Sequence, residues 1–93
     1  KIAVNYYDTL RSILEAITSL QGYKIYEHEA FVYYLKKINE NFLSIKFDRI
    51  RRIRNSINYY GEDISIEETK EIKKDIGKMI EYLIKKYLSE VKL

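Results

Sequence analysis

The chain has 93 residues, 46% of them hydrophobic and 33% charged, with a formal net charge of +3. That length holds one domain with a modest core, and the apolar content excludes a disordered tail. The absence of cysteine excludes a disulfide framework, a thiolate zinc site and a thiol nucleophile, and no apolar run approaches the roughly 18 residues that span a bilayer.

A first helix is predicted from Ile2 to Gln21. Ala3, Tyr7, Leu10, Leu14 and Ile17 recur at steps of four and three, and Tyr6, Ile13 and Leu20 widen the stripe. Gly22 ends it, as a glycine just past the last periodic residue does. The opening residues are already in helical register without a cap, so a further helix is expected upstream of Lys1. A short connection, Tyr23 to Tyr26, leads to a second helix over residues 27–42. Glu27 and Glu29 suit its positive end, and Phe31, Tyr34, Leu35, Ile38 and Phe42 form its buried stripe.

Ser44 is the expected N-cap of a third helix, Ile45 to Tyr60, which Gly61 stops. Phe47, Ile50, Ile53, Ile57 and Tyr60 share one face at 100° per residue. Arg54, Arg51, Asn58 and Asn55 run along its flank, Arg54 nearest the apolar centre. Lys46, Arg49, Arg51, Arg52 and Arg54 fall within nine residues that hold one acid, Asp48. Arg49 and Arg52 point outward and solvate the helix. An arginine at the shoulder of a buried stripe needs a carboxylate, a phosphate or a partner chain, because an unpaired buried charge is costly.

Ser65 and Glu68 form a capping box for the fourth helix, Ile66 to Leu88. Thr69, Ile72, Ile76, Met79, Ile80, Leu83 and Tyr87 make one face, and Gly77 beside it is expected to admit a close helix. Four helices without a strand pattern predict an all-α, antiparallel up-and-down four-helix bundle. No signal-peptide pattern opens the chain, so cytoplasm is the expected compartment. Enrichment in Ile, Tyr, Lys and Glu fits a thermophile, although AT-rich coding gives a similar bias.

The order of these motifs resembles the HEPN domain family. Glu15-Ala16, then Gly22-Tyr23-Lys24, then Glu27-His28-Glu29-Ala30 precede the Arg54-Asn55 helix. The family motif is an arginine, a polar residue and, a few residues on, a histidine. Here Arg54 and Asn55 match the first two, and Tyr59 stands at the histidine position. The resemblance implies a prokaryotic module that forms homodimers and acts with a small nucleotidyltransferase in toxin–antitoxin-like pairs. Where the motif is complete it implies metal-independent RNA cleavage at the dimer interface.

Arg54 can stabilise charge on a scissile phosphate, but an unshifted phenol at Tyr59 is a poor base at neutral pH. On an ideal helix Tyr59 also lies about 140° from Arg54. His28, the sole histidine, reads as a half-exposed residue near a helix start, and nothing in the sequence sets it beside Arg54. The adjacent tyrosine pairs read as one core and one border residue each, rather than as stacking platforms for bases. No metal-ligand spacing or phosphate loop is present, and no cofactor is expected.

The expected function is therefore an association module that dimerises through its third helix, without catalysis of its own. One alternative is an RNA-binding or weakly RNA-cleaving domain with Arg54 and Tyr59 as the candidate catalytic pair. Another is a nucleotide-binding domain. Arg51, Arg54, Asn55 and Asn58 are the candidate phosphate or interface residues.

Overall fold

Periodic apolar stripes set the helices, and most of them fall where the residue spacing puts them. The structure, a computed structural model, describes the backbone of residues 2–60 and 65–89 and the side chains of residues 5–57 and 65–89. Helix α1 spans Ile2–Leu20, α2 His28–Lys37, α3 Asn41–Tyr60 and α4 Ile66–Leu83. A π-helical turn, Ile84–Leu88, continues α4. Among the described residues there is no strand, and no helix is long and apolar enough to cross a membrane. The architecture is all-α.

One core joins the elements. Tyr7, Leu10, Leu14 and Ile17 of α1 meet the stripe of Ile72, Ile76, Met79 and Leu83 on α4. Phe31, Tyr34 and Leu35 of α2 pack with Leu43, Phe47 and Ile50 of α3, and α1 also touches α3. Burying one such side chain contributes about 1.5–3 kcal/mol, so the aligned stripes are the main source of stability.

Two helix ends share one solution. Gly22 adopts φ 82°, and the N–H groups of Gly22 and Tyr23 return to the carbonyls of Ser19 and Thr18, closing α1. Asn39 adopts φ 64°, and the N–H groups of Asn39 and Glu40 return to Lys36 and Leu35. Asparagine tolerates this left-handed conformation better than most residues. The second helix therefore stops at Lys37, five residues before its expected end.

That early stop moves several side chains from their expected places. The third helix starts at Asn41, four residues earlier than expected, with the Ser44 N–H bonding the Glu40 carbonyl at 2.9 Å. Ser44 is no cap. It is fully buried inside α3, and its hydroxyl donates to the Val32 carbonyl at 2.9 Å. Phe42, expected in the buried stripe of the second helix, is 70% exposed on the first turn of α3. Among the described residues nothing lies within 4 Å of a Cβ built at Gly77, so the close helix expected there is not seen. The Ser65 cap holds: its oxygen accepts the Glu68 N–H at 3.0 Å. The expected stop at Gly61 and the side chains of Ala3, Asn58, Tyr59 and Tyr60 lie outside the described residues.

Contact order gives the helix senses. Phe31 meets Phe47 and Val32 meets Ser44, so α2 and α3 are antiparallel. Lys46 pairs with Asp75 and Glu40 with Tyr82, so α3 and α4 are antiparallel too. The first pair differs. Tyr7 meets His28 and Gln21 meets Tyr34, so α1 and α2 run in the same sense. The connection from Gln21 to Glu27 returns alongside α1 instead of turning sharply, and it brings the start of α2 to the start of α1.

Candidate functional site

Three helices converge where that connection delivers His28. Tyr7, at the centre of the α1 stripe, is wholly buried and stacks on Phe47 at 5.6 Å. Its hydroxyl lies 3.0 Å from His28 Nδ1. The Arg54 guanidinium of α3 covers the same ring, 5.6 Å from its centroid. Such a cation over an aromatic face is attracted by the ring quadrupole. Asp8 and Arg11 follow on the exposed side of α1, and Arg51 sits one turn before Arg54.

The charges are unevenly matched. Arg11 pairs with Glu15 one turn along α1. Asp48 accepts from Arg51 at 2.7 Å and pairs with Arg52 at 3.1 Å. Among the described residues Arg54 reaches only Asp8, at 3.9 Å, which is an ion pair without a hydrogen bond. Among the described residues, Arg11, Arg51, Arg52 and Arg54 thus share Glu15, Asp48 and Asp8. The Nε atoms of Arg51 and Arg54 are both buried, and neither has a hydrogen-bond partner among the described residues.

Burial pushes the Tyr7 phenol up to about 12, although Arg54, Arg51 and Arg11 pull it back. The same burial lowers His28, and the cations Arg11 and Arg54 lower it further against the opposing pull of Glu15 and Asp8. When Nδ1 is unprotonated, the protonated phenol donates to it and Nε2 carries the ring proton. In that state the His28 Nε2–H is an uncharged donor on the side of the imidazole away from the Tyr7 hydroxyl. Its Nδ1 is already occupied, which disfavours it as a base.

Of the residues singled out in the sequence, Arg51, Arg54 and Asn55 lie together on the half-buried flank of α3. Asn58 and Tyr59 belong to α3, with side chains outside the described residues. His28, which the sequence left unplaced, joins Arg54 across the Tyr7 ring. Tyr7, Asp8 and Arg11 were not foreseen as members. Tyr7 was legible only as a core residue, since period reports burial and not the partner of a hydroxyl.

A second polar cluster closes the other end of the molecule. Glu40, nearly buried between α2 and α3, accepts from Tyr82 at 3.0 Å, from Lys86 at 2.8 Å and from Tyr87. The π turn explains the pair of phenols. In a continuous α-helix residues five apart diverge by about 140°, whereas an i→i+5 ladder stacks them, which lets Tyr82 and Tyr87 share one acceptor. Burial pushes the Glu40 carboxyl up, but the bonds from Lys86, Tyr87 and Tyr82 outweigh it and hold the group below its ordinary range. A scan against protein-family models and searches of curated proteins and of solved structures find no match to this chain.

Proposed function

We propose that the chain is an HEPN-like helical module that holds an RNA phosphodiester at the junction of α1, α2 and α3. The observation that carries this reading is Arg54. Its guanidinium is fixed over Tyr7 and half-buried, yet no carboxylate among the described residues is hydrogen-bonded to it. A phosphodiester supplies the anionic acceptor that the Arg54 guanidinium lacks among the described residues. Arg54 and Arg51 supply charge-assisted donors, and the His28 Nε2–H supplies a neutral one.

The same groups bear on catalysis. Metal-independent RNA cleavage needs charge stabilisation at phosphate and a group that moves the proton of the 2′-hydroxyl. Arg54 suits the first task. Tyr59 in place of the family histidine and a His28 with Nδ1 occupied supply the second poorly at neutral pH. Such proton transfer is worth about 10²–10⁴-fold, so the expected activity is binding with slow turnover at most.

The test is RNA affinity as a function of salt. The unaltered chain is expected to bind with a steep salt dependence, and Arg54→Ala and Arg51→Ala are each expected to flatten that slope by about one ion. Salt-insensitive binding, or no binding at low salt, would refute the reading.

A second reading, association with another copy of the chain, draws on a different surface. Phe42 and Ile45, three residues apart on the outer face of α3, are 70% and 68% exposed. Two large apolar side chains held in water on one face suit a two-fold contact. Sedimentation is expected to show a dimer that Phe42→Ser with Ile45→Ser dissociates. A monomer at high micromolar concentration would remove this reading.

A further inference from the structure

We infer that the groove between α1 and the returning Gln21–Glu27 connection is a subsite for an unpaired nucleobase, with Tyr26 as its stacking platform. The inference rests on the phosphate reading and adds to it the kind of RNA that is bound. The groove has a volume of about 300 Å³. Glu15 and Ser19 of α1 line one side, and Tyr23, Lys24 and Tyr26 of the connection line the other.

Tyr26 is 87% exposed, so its ring contributes almost nothing to the core. The segment beneath it is nonetheless anchored. Ile25 packs against the core, and Tyr23 sets its edge on Tyr34 at 5.7 Å beneath the ammonium of Lys37, 4.7 Å from the ring centroid. Lys24 and Tyr26 are both exposed on either side of the inward Ile25. An exposed aromatic on an anchored segment, beside a cation, is the arrangement on which single-stranded bases stack. The Glu15 carboxylate and Ser19 hydroxyl face the groove and can take hydrogen bonds at the edge of a base.

Glu15 joins this groove to the phosphate cluster. Glu15 lines the groove, pairs with Arg11 and acts on the His28 charge. Tyr26 lies two residues before His28, so their Cα atoms are no more than about 7.6 Å apart. A strand whose phosphate rests on Arg54 beside His28 therefore carries a neighbouring base toward Tyr26. A duplex keeps its bases stacked inside and cannot use the platform.

The experiment compares a labelled single-stranded RNA with a duplex of the same length, at one low salt concentration. Tyr26→Ala is expected to weaken the single strand by about 5- to 150-fold and to leave the duplex unchanged. Tyr26→Phe is expected to keep the affinity, because stacking needs the ring and not the hydroxyl. Arg54→Ala is expected to weaken both RNAs. Tyr26 lies outside the core, so its variants keep the fold. Unchanged single-strand affinity in Tyr26→Ala, or equal losses for both RNAs, overturns the base subsite while the phosphate reading stands. Binding of neither RNA by the unaltered chain overturns both.

Discussion

The Tyr7 hydroxyl and Nδ1 of His28 lie 3.0 Å apart although 21 positions separate the two residues in the chain. The contact fixes the imidazole over the first turns of α1, where Arg11 and Arg54 act on it. Because burial and those two cations lower His28, Arg11→Ala and Arg54→Ala are each expected to raise its titration midpoint toward the ordinary value near 6.5. Neither is expected to restore it fully, since burial is the larger cause. The imidazole resonances of a chain with one histidine report this directly by NMR. The sign for stability follows. A depressed histidine favours the fold fully above pH 6.5, and that contribution is lost as pH falls below it.

Asp8 competes with any anion for Arg54. Asp8→Asn removes the carboxylate paired with that guanidinium among the described residues and is expected to tighten RNA binding by about 2- to 5-fold, the range of a partly exposed ion pair. A purely structural role for the Asp8–Arg54 pair predicts unchanged or weaker binding. Fluorescence anisotropy of both chains at one salt concentration separates the two outcomes.

The Glu40 cluster makes a prediction in acid. Glu40→Ala leaves the Tyr82 and Tyr87 hydroxyls and the Lys86 ammonium without their common acceptor. A loss of about 1.5–3 kcal/mol is expected, read from urea unfolding. The folded carboxyl sits below its ordinary range, so its contribution is complete above that range and lost as pH falls through it. Glu40→Gln is expected to flatten this part of the stability profile.

Alkali tests two phenols, the buried Tyr7 and the partly buried Tyr87. Tyr7 and Tyr87 are both pushed up to about 12, chiefly by burial, and Tyr87 also by its bond to Glu40. Their contribution is complete below the unfolded value near 10 and is lost as pH rises through about 12. Tyrosinate absorbance is clean in a chain with ten tyrosines and no tryptophan. Tyr7→Phe and Tyr87→Phe are each expected to remove one late-titrating group.

Period and cap residues carried most of the helical layout. Tyr7 to Ile17 of α1, Ile72 to Leu83 of α4, the Gly22 stop and the Ser65 cap sit where spacing and residue type put them, whereas Tyr6 and Leu20, expected to widen the α1 stripe, are exposed. The α2–α3 boundary did not follow from the sequence, because Phe42 lies four residues beyond Ile38 and continues an apolar period across a chain reversal. Only the left-handed Asn39 breaks it, and asparagine occurs equally well inside a polar helical face. Ser44 has the composition of a cap and the position of a core residue, which residue type cannot distinguish. The arginine flank of α3 was visible from its angle to the stripe. His28 was not, because its place beside Arg54 depends on a connection that runs back along α1, and no local spacing encodes that path.

The π turn at Ile84–Leu88 holds one residue more than a regular helix would, which gives the Glu40 cluster slack in chain length. Removing Ile84 or Lys85 from this turn would leave Tyr82 and Tyr87 four residues apart in a regular ladder, about 40° around the axis and still on one face toward Glu40. A deletion in the regular α-helix before Tyr82 has no such slack and would swing everything downstream by about 100°. A single-codon deletion within the turn is therefore expected to keep the shared acceptor, and one within Ile72–Met79 to lose it. Over the turn, related chains are expected to tolerate a one-residue gap that the rest of α4 does not.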